Sequence, residues 1–419
     1  MQALCSDCTL QVPGFSITAT PPKFASFVST LSPSKPGTRL CLTFGDGSYK
    51  PVRRSRWNGF GVLCASSDGE SDDGFYMRRC VELARKAIGY TSPNPLVGCV
   101  IVKNGIVVGE GFHPKAGQSH AEPLDKDLVF VSMLSWGDEI VRTPPCTEAL
   151  IEAKVKKVVV GMVDPNPIVA FKGVERLRGA GIEVVVGVEE ELCKSLNEPY
   201  IHRMLTGKHF LTLRYSLSIN GNFLNLLGNG AADCGGYYSR LLQKYDAMVM
   251  SSSFLTENFK VPASQEPGAN QPIRIVIHKD PSSLNQILSS INDITSKIII
   301  FTENKVGTAP EVAQQGIETV VLDEINLDVI LDYCNHQGLC SVLLDIRGSF
   351  SEFEVLVMEA IENNYINKFI TEILPVWNKR TEPHPLQTLK SLEQGMKVLN
   401  LKSKASDQSV VIEGYFKSE

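Results

Sequence analysis

An α/β architecture in two successive domains follows from three features of the sequence. Strand-length apolar runs alternate with helical patterns, the alternation occurs in two separate stretches, and 419 residues exceed what one hydrophobic core normally serves. Lys and Arg number 41 against 46 Asp and Glu, a formal charge of -5. With no basic stripe to follow a phosphate backbone, the composition argues against nucleic acid as a partner and for a small molecule. No apolar run approaches the roughly 20 residues needed to span a bilayer, so no membrane partner is expected. The 11 cysteines lack the dense, regular spacing of a secreted disulfide scaffold and read mostly as reduced, buried thiols.

The first sixty residues are rich in Ser, Thr and Pro, carry Lys23, Lys35, Arg39, Lys50, Arg53, Arg54 and Arg56, and have only Asp7 and Asp46 as acids. This composition predicts an organelle transit peptide with a linker over 1–70, a chloroplast fitting better than a mitochondrion; the competing reading is a tail with no address. Asp68, Glu70, Asp72 and Asp73 then reverse the charge. Tyr76, Cys80, Leu83, Ala84, Ala87 and Ile88 follow as an apolar stripe at helical spacing, which marks the start of the folded chain.

Val97 to Val102 and Ile106 to Val108, joined by Lys103-Asn104-Gly105, predict a hairpin. Val155 to Val160 and Ile182 to Val186 predict strands flanking a helix through Val174, Leu177 and Ala180. The second alternation, from Gly207, predicts strands at Phe210 to Leu213, Ala247 to Met250, Ile273 to Ile277, Ile298 to Phe301, Thr319 to Leu322 and Val342 to Leu344. Pro262 to Gln271 reads as a flexible surface loop. Cys80 and Cys99 lie on apolar faces and read as core thiols.

The chemistry centres on His120-Ala121-Glu122 and on Pro145-Cys146 at the start of a helical pattern. A zinc deaminase uses a His and Cys ligands to hold the metal, and an unliganded Glu in H-x-E to move protons. Zinc lowers the pKa of bound water towards ~7, so that hydroxide is available to attack an amidine carbon. His120 and Cys146 are therefore the candidate Zn2+ ligands and Glu122 the candidate catalytic residue. H-x-E alone is common by chance, and His120 could be an ordinary core histidine.

The flanking motifs raise the weight. Thr91-Ser92-Pro93-Asn94-Pro95-Leu96-Val97-Gly98, Gly109-Glu110-Gly111-Phe112-His113, Gly117-Gln118-Ser119-His120, Arg142-Thr143-Pro144-Pro145-Cys146, and Asp164-Pro165-Asn166-Pro167 occur in that order. Together they resemble the bifunctional riboflavin-biosynthesis deaminase/reductase family, and within it the plant form that deaminates only. The resemblance implies a cytidine-deaminase-like three-layer α/β/α domain over 71–205 and a dihydrofolate-reductase-like α/β domain over 206–419. It implies hydrolytic deamination of a phosphorylated ribosylaminopyrimidine in the plastid, substrate contacts from Asn94 and His113, and a homodimer. Asn94 serves equally well as a residue that shapes a Pro-flanked turn, and Asp164 to Pro167 reads as a structural turn.

Two departures from the family pattern stand out. The family supplies its second cysteine ligand from a segment between the H-A-E and P-P-C motifs. Here residues 123–141 read PLDKDLVFVSMLSWGDEIV, shorter than the family segment and without cysteine, although Leu128 to Leu134 still has strand character. In the reductase-like half, Asn220 stands in place of an acid, and Asp345-Ile346-Arg347-Gly348 replaces a Glu-Gly-Gly turn that lets backbone approach a nicotinamide cofactor. The added bulk and charge argue against NADPH. Three readings stay open: a zinc deaminase or a splice or gene-model variant of one, a non-enzymatic homologue acting as partner or scaffold, and an NADPH-dependent reductase.

Overall fold

The computed structural model describes residues 72–115, 128–134, 146–166, 171–256, 261–279, 297–303, 317–348, 350–378, 397–405 and 408–417. These all fall within one compact unit, Ser55–Glu419. The transit reading, His120, Glu122 and the stretch just after Glu122 lie outside the described residues.

The first sheet has five strands in the order β2-β1-β3-β4-β5, formed by β1 Gly98–Lys103, β2 Ile106–Phe112, β3 Leu128–Leu134, β4 Lys157–Val163 and β5 Glu183–Val186. The predicted hairpin is present. Asn104 and Gly105 take φ of 50° and 73°, as a two-residue turn matched to strand twist requires. Strand β3 spans the residues predicted for it and is buried at almost every position. It runs antiparallel to β1 and parallel to β4, so the atypical segment still supplies the middle of the sheet.

Helix α1, Asp72–Ala84, lays Met77, Cys80, Val81 and Leu83 on this sheet. It sits so close that a Cβ at Gly98 would come 1.9 Å from the Cys80 carbonyl oxygen, so only glycine fits. Cys80 and Cys99 are core thiols, as read, and burial pushes the Cys80 thiol well above its ordinary range. Helices α2 Cys146–Glu152 and α3 Lys172–Gly179 pack against each other. Val174 and Leu177 are buried as the helical spacing requires, but Ala180 is exposed because it already lies past the last turn of α3.

Helices α4 Glu190–Leu196 and α5 Glu198–Thr206 lead into a ten-stranded sheet. Its strands are β6 Phe210–Ser218, β7 Phe223–Leu224, β8 Ala247–Ser251, β9 Ile273–His278, β10 Ile298–Glu303, β11 Ile317–Leu322, β12 Ser341–Ile346, β13 Ile366–Leu374, β14 Val398–Ala405 and β15 Val410–Phe416. The path is β11-β10-β9-β8-β12-β6-β13-β15-β14, with β7 paired to β6. From β11 to β13 all neighbours are parallel; β15 and β14 then complete an antiparallel edge.

Both faces of the parallel part are covered, as such sheets require. Alternate residues Val342 and Leu344 face a core closed by α8 Leu327–His336 and α9 Phe350–Glu362. Leu343 faces the opposite core, closed by α6 Tyr237–Leu242 and by Phe254 and Leu255 of α7 Ser252–Thr256. Among the described residues, no helix is long and apolar enough to cross a membrane.

Pro262 to Gln271 has no helix or strand, yet its hydrogen bonds contradict the expectation of a flexible surface loop. Ser264 N donates to Gln271 Oε1 at 2.8 Å, Gln271 Nε2 donates to Ser264 O at 3.0 Å, and the buried Arg274 donates to Pro262 O at 2.6 Å. Its polar side chains, among them the buried Ser264, supply the bonds that a strand ladder would otherwise make.

Candidate active site

The five-stranded sheet brings one group of predicted site residues together. The Gly89–Val97 connection turns on Asn94, whose backbone N–H donates to Thr91 O at 2.7 Å. Asn94 Nδ2 stands 3.4 Å from Nε2 of His113. His113 follows β2, is fully buried, and donates its backbone N–H to Val97 O at 2.8 Å. The two residues named for substrate contact are thus neighbours, with Asn94 half-buried and His113 supporting it from within. Asp164 is buried and accepts the Asn166 backbone N–H at 3.0 Å, which is the turn structure read from the sequence.

Cys146 opens α2, and the adjoining Thr147 hydroxyl is buried without a hydrogen-bond partner among the described residues. No group of three His, Cys, Asp or Glu able to hold a metal occurs among the described residues, and His120 and Glu122 lie outside them. The donors expected from the sequence, His120 and Cys146, are one imidazole and one thiolate. That is one short of the three protein ligands of a catalytic zinc site.

The ten-stranded sheet holds a second constellation, from the middle of β6 and the carboxyl-terminal halves of β12 and β13, the side on which open α/β sheets bind ligands. Arg214 on β6 pairs in register with Asp345 on β12, and Glu372 lies two residues along β13. All three are buried. Arg214 donates to Asp345 Oδ1 at 3.2 Å, to Glu372 Oε2 at 3.1 Å, to Ser216 Oγ at 2.7 Å and to the Tyr237 hydroxyl at 2.8 Å. Tyr237 and Tyr238 donate at 2.7 Å to Glu372 and Asp345, respectively.

Arg347, the residue that breaks the glycine turn, folds back into this network. It donates to Asp345 Oδ2 at 2.6 Å, and its guanidinium carbon lies 4.6 Å from the ring centres of both Tyr238 and Phe254. Two guanidinium and two carboxylate groups therefore balance inside the crevice. Burial works against the ionised form of Asp345, but the charges of Arg347 and then Arg214 outweigh it and hold the carboxyl below the usual carboxylate range. The following Gly348 has φ of 92°, and a Cβ there would come 2.7 Å from Ser253 Oγ and 2.8 Å from Ser251 Oγ. The turn is closed by the protein's own atoms.

Sequence reasoning identified Asp345 and Arg347 but missed Arg214 and Glu372. The available signal was a charge inside a strand-length run of alternating apolar residues, in FLTLRYSLS and INKFITEIL. Asn220 lies apart from this network. Its Oδ1 accepts from Ser218 Oγ at 2.9 Å, and its Nδ2 donates to Asn378 O at 2.8 Å, a bond that a carboxylate could not make.

A deaminase-type first sheet joined to a reductase-like second one defines the class. Residues 70–162 match the family described as the cytidine and deoxycytidylate deaminase zinc-binding region. The riboflavin biosynthesis protein PYRD, chloroplastic, of Arabidopsis thaliana is 49% identical over 384 residues, covering 88% of this chain and 89% of the relative. Its namesake in Zea mays, also designated chloroplastic, is 48% identical over 360 residues, covering 84% and 90%. Among solved structures, RibD of Acinetobacter baumannii superposes with a TM-score of 0.66 at 25% identity, over 83% of this chain and 99% of that one. The deaminase/reductase of Thermotoga maritima shares the fold, with a TM-score of 0.65 at 24% identity, over 82% and 99%. The chain belongs to the riboflavin-biosynthesis deaminase/reductase family, whose first domain is a zinc-dependent pyrimidine deaminase.

Proposed function

We propose that this protein is the plastid pyrimidine deaminase of riboflavin biosynthesis, built to replace the ring amino group of 2,5-diamino-6-ribosylamino-4(3H)-pyrimidinone 5′-phosphate by oxygen. The observation that carries the proposal is the match to plant relatives along most of the chain, with the deaminase region inside it. In this reading residues 71–205 form the deaminase domain and 206–419 a reductase-like domain that no longer reduces. Asn94 orients the pyrimidine, His113, expected to touch substrate but fully buried, fixes the Asn94 side chain instead, and Glu122 moves the proton onto the leaving amine. His120 and Cys146 would hold Zn2+, which supplies an activated water when bound. The missing third ligand makes that binding weak in the chain as written.

The Arg347-filled turn supports the loss of reduction, because the space a nicotinamide would need is taken by a guanidinium. A catalytically silent homologue or a splice or gene-model variant is the second reading, favoured specifically by the cysteine-free 123–141 segment. The family's dimer makes a homodimer the expected assembly.

Complementation of riboflavin-requiring bacteria separates these readings. With a family-like segment ending in Glu-Pro-Cys in place of 123–141, the protein should restore growth to a host lacking only the deaminase. Neither this form nor the chain as written should rescue a host lacking only the reductase; growth there would establish reduction instead.

Plastid import with removal of about the first 60 to 70 residues follows from the acid-poor N-terminus. A fusion of residues 1–70 to a fluorescent reporter should accumulate in chloroplasts, and cytosolic fluorescence would remove this element of the proposal.

A further inference from the structure

The segment that carries Asn94 has no ladder of its own between the end of the first helix and β1, so its position depends on bonds from elsewhere. Three of these come from the reductase-like half. Asn270 Nδ2 donates to Gly89 O, and the Tyr90 hydroxyl donates to Gly268 O at 2.6 Å. Cys340, just before β12, places its Sγ 3.9 Å from Pro93 O. Gly89 itself has φ of 82°, and a Cβ there would come 2.7 Å from the Gln243 carbonyl oxygen, so the chain passes flush against the second sheet's connections. At the far end, Asn197, between α4 and α5, accepts from Leu96 N at 2.7 Å and donates to Leu96 O at 3.0 Å. His113 then meets Asn94 from the interior.

The anchoring loop is itself fixed. Gly268 and Asn270 belong to the 262–271 connection held by the reciprocal Ser264–Gln271 bonds and by Arg274. Cys340 is held by the Arg203 guanidinium, which also donates to Leu339 O at 2.6 Å. A hydrogen-bonded surface of the reductase-like half, tied at Cys340 to Arg203 of α5, thus faces the segment that presents Asn94.

We infer that the reductase-like domain acts as a positioning element for the deaminase site, with Asn270 and Tyr90 as the residues through which it sets the Asn94–His113 pair. This rests on the deaminase reading for its purpose, but the geometry can be tested with neither metal nor substrate, so failure of one is distinguishable from failure of the other. It gives the second domain a task that needs no cofactor and leaves the Arg347-filled crevice unused. Neither Asn270 nor Tyr90 is placed in contact with the pyrimidine; both act through Asn94.

The test compares the full chain with its Asn270→Ala and Tyr90→Phe variants by amide hydrogen exchange and by NMR of selectively labelled His113. Loss of an anchor should speed exchange of the Gly89–Val97 amides about tenfold, the scale of one or two hydrogen bonds, while amides of β4 keep their protection. The His113 ring resonance should shift, because its neighbour Asn94 is no longer held. Unchanged exchange in 89–97, or an unmoved His113 signal, would overturn the inference. Equal acceleration across both sheets would overturn it too, since it would mean only general destabilisation.

Discussion

Replacing Asp345 by Asn should destabilise the fold by about 3–5 kcal/mol, the usual result of removing one partner from a buried ion cluster. Asp345 accepts from Arg214, Arg347 and the Tyr238 hydroxyl, all within the same sealed crevice. Without its charge Arg214 keeps only Glu372 and Arg347 loses its carboxylate partner, leaving buried guanidinium charge uncompensated. The pH dependence has a definite sign. Because the folded carboxyl titrates below its unfolded value of about 3.9, its contribution is complete above that pH and disappears as pH falls through the folded pKa. Urea unfolding of the two proteins should therefore show a large gap at neutral pH that narrows as the solution is acidified below about pH 4. A gap under about 1 kcal/mol at pH 7 would show that the cluster is not a stabilising network.

Restoring the second thiolate should have the largest effect on function. Structural zinc sites contribute on the order of 10 kcal/mol of apparent binding energy, so one ligand of three should be worth several kcal/mol, or orders of magnitude in affinity. Substituting the 123–141 segment by a family-like one ending in Glu-Pro-Cys-Asn-His-Tyr-Gly should raise zinc from far below one per chain to one, and bring ammonia release up from background. A further Glu122→Gln change should then abolish turnover while leaving the zinc in place, because the glutamate moves protons and does not bind metal. Loss of the metal with that change would reassign Glu122 as a ligand.

Much of the fold was legible because periodicity and turn chemistry are local. The Asn104-Gly105 hairpin, the buried run Leu128–Leu134 and the apolar cores of β8, β9, β10 and β12 follow from alternation and strand-length apolar runs. Strands β13, β14 and β15 were missed. Asn367, Lys368, Thr371 and Glu372 interrupt β13, and β14 is exposed at every position, so it carries no burial signal. The 262–271 loop was misread because Gly and Pro report the absence of regular structure, whereas side-chain bonds decide whether a loop is held. At the site, Asn94 and His113 came from ordered motifs nineteen residues apart and prove to be neighbours. Arg214 and Glu372 became intelligible only when strand register set them beside Asp345.

The central claim is a deaminase framework one ligand short of its metal. It is tested most directly by metal analysis of the unaltered full chain after dialysis, together with an ammonia-release assay on the ribosylaminopyrimidine phosphate. A framework one ligand short should carry far less than one zinc per chain and show no deamination above background. Stoichiometric zinc with full activity would contradict it, and would mean that another residue completes the site begun by His120 and Cys146.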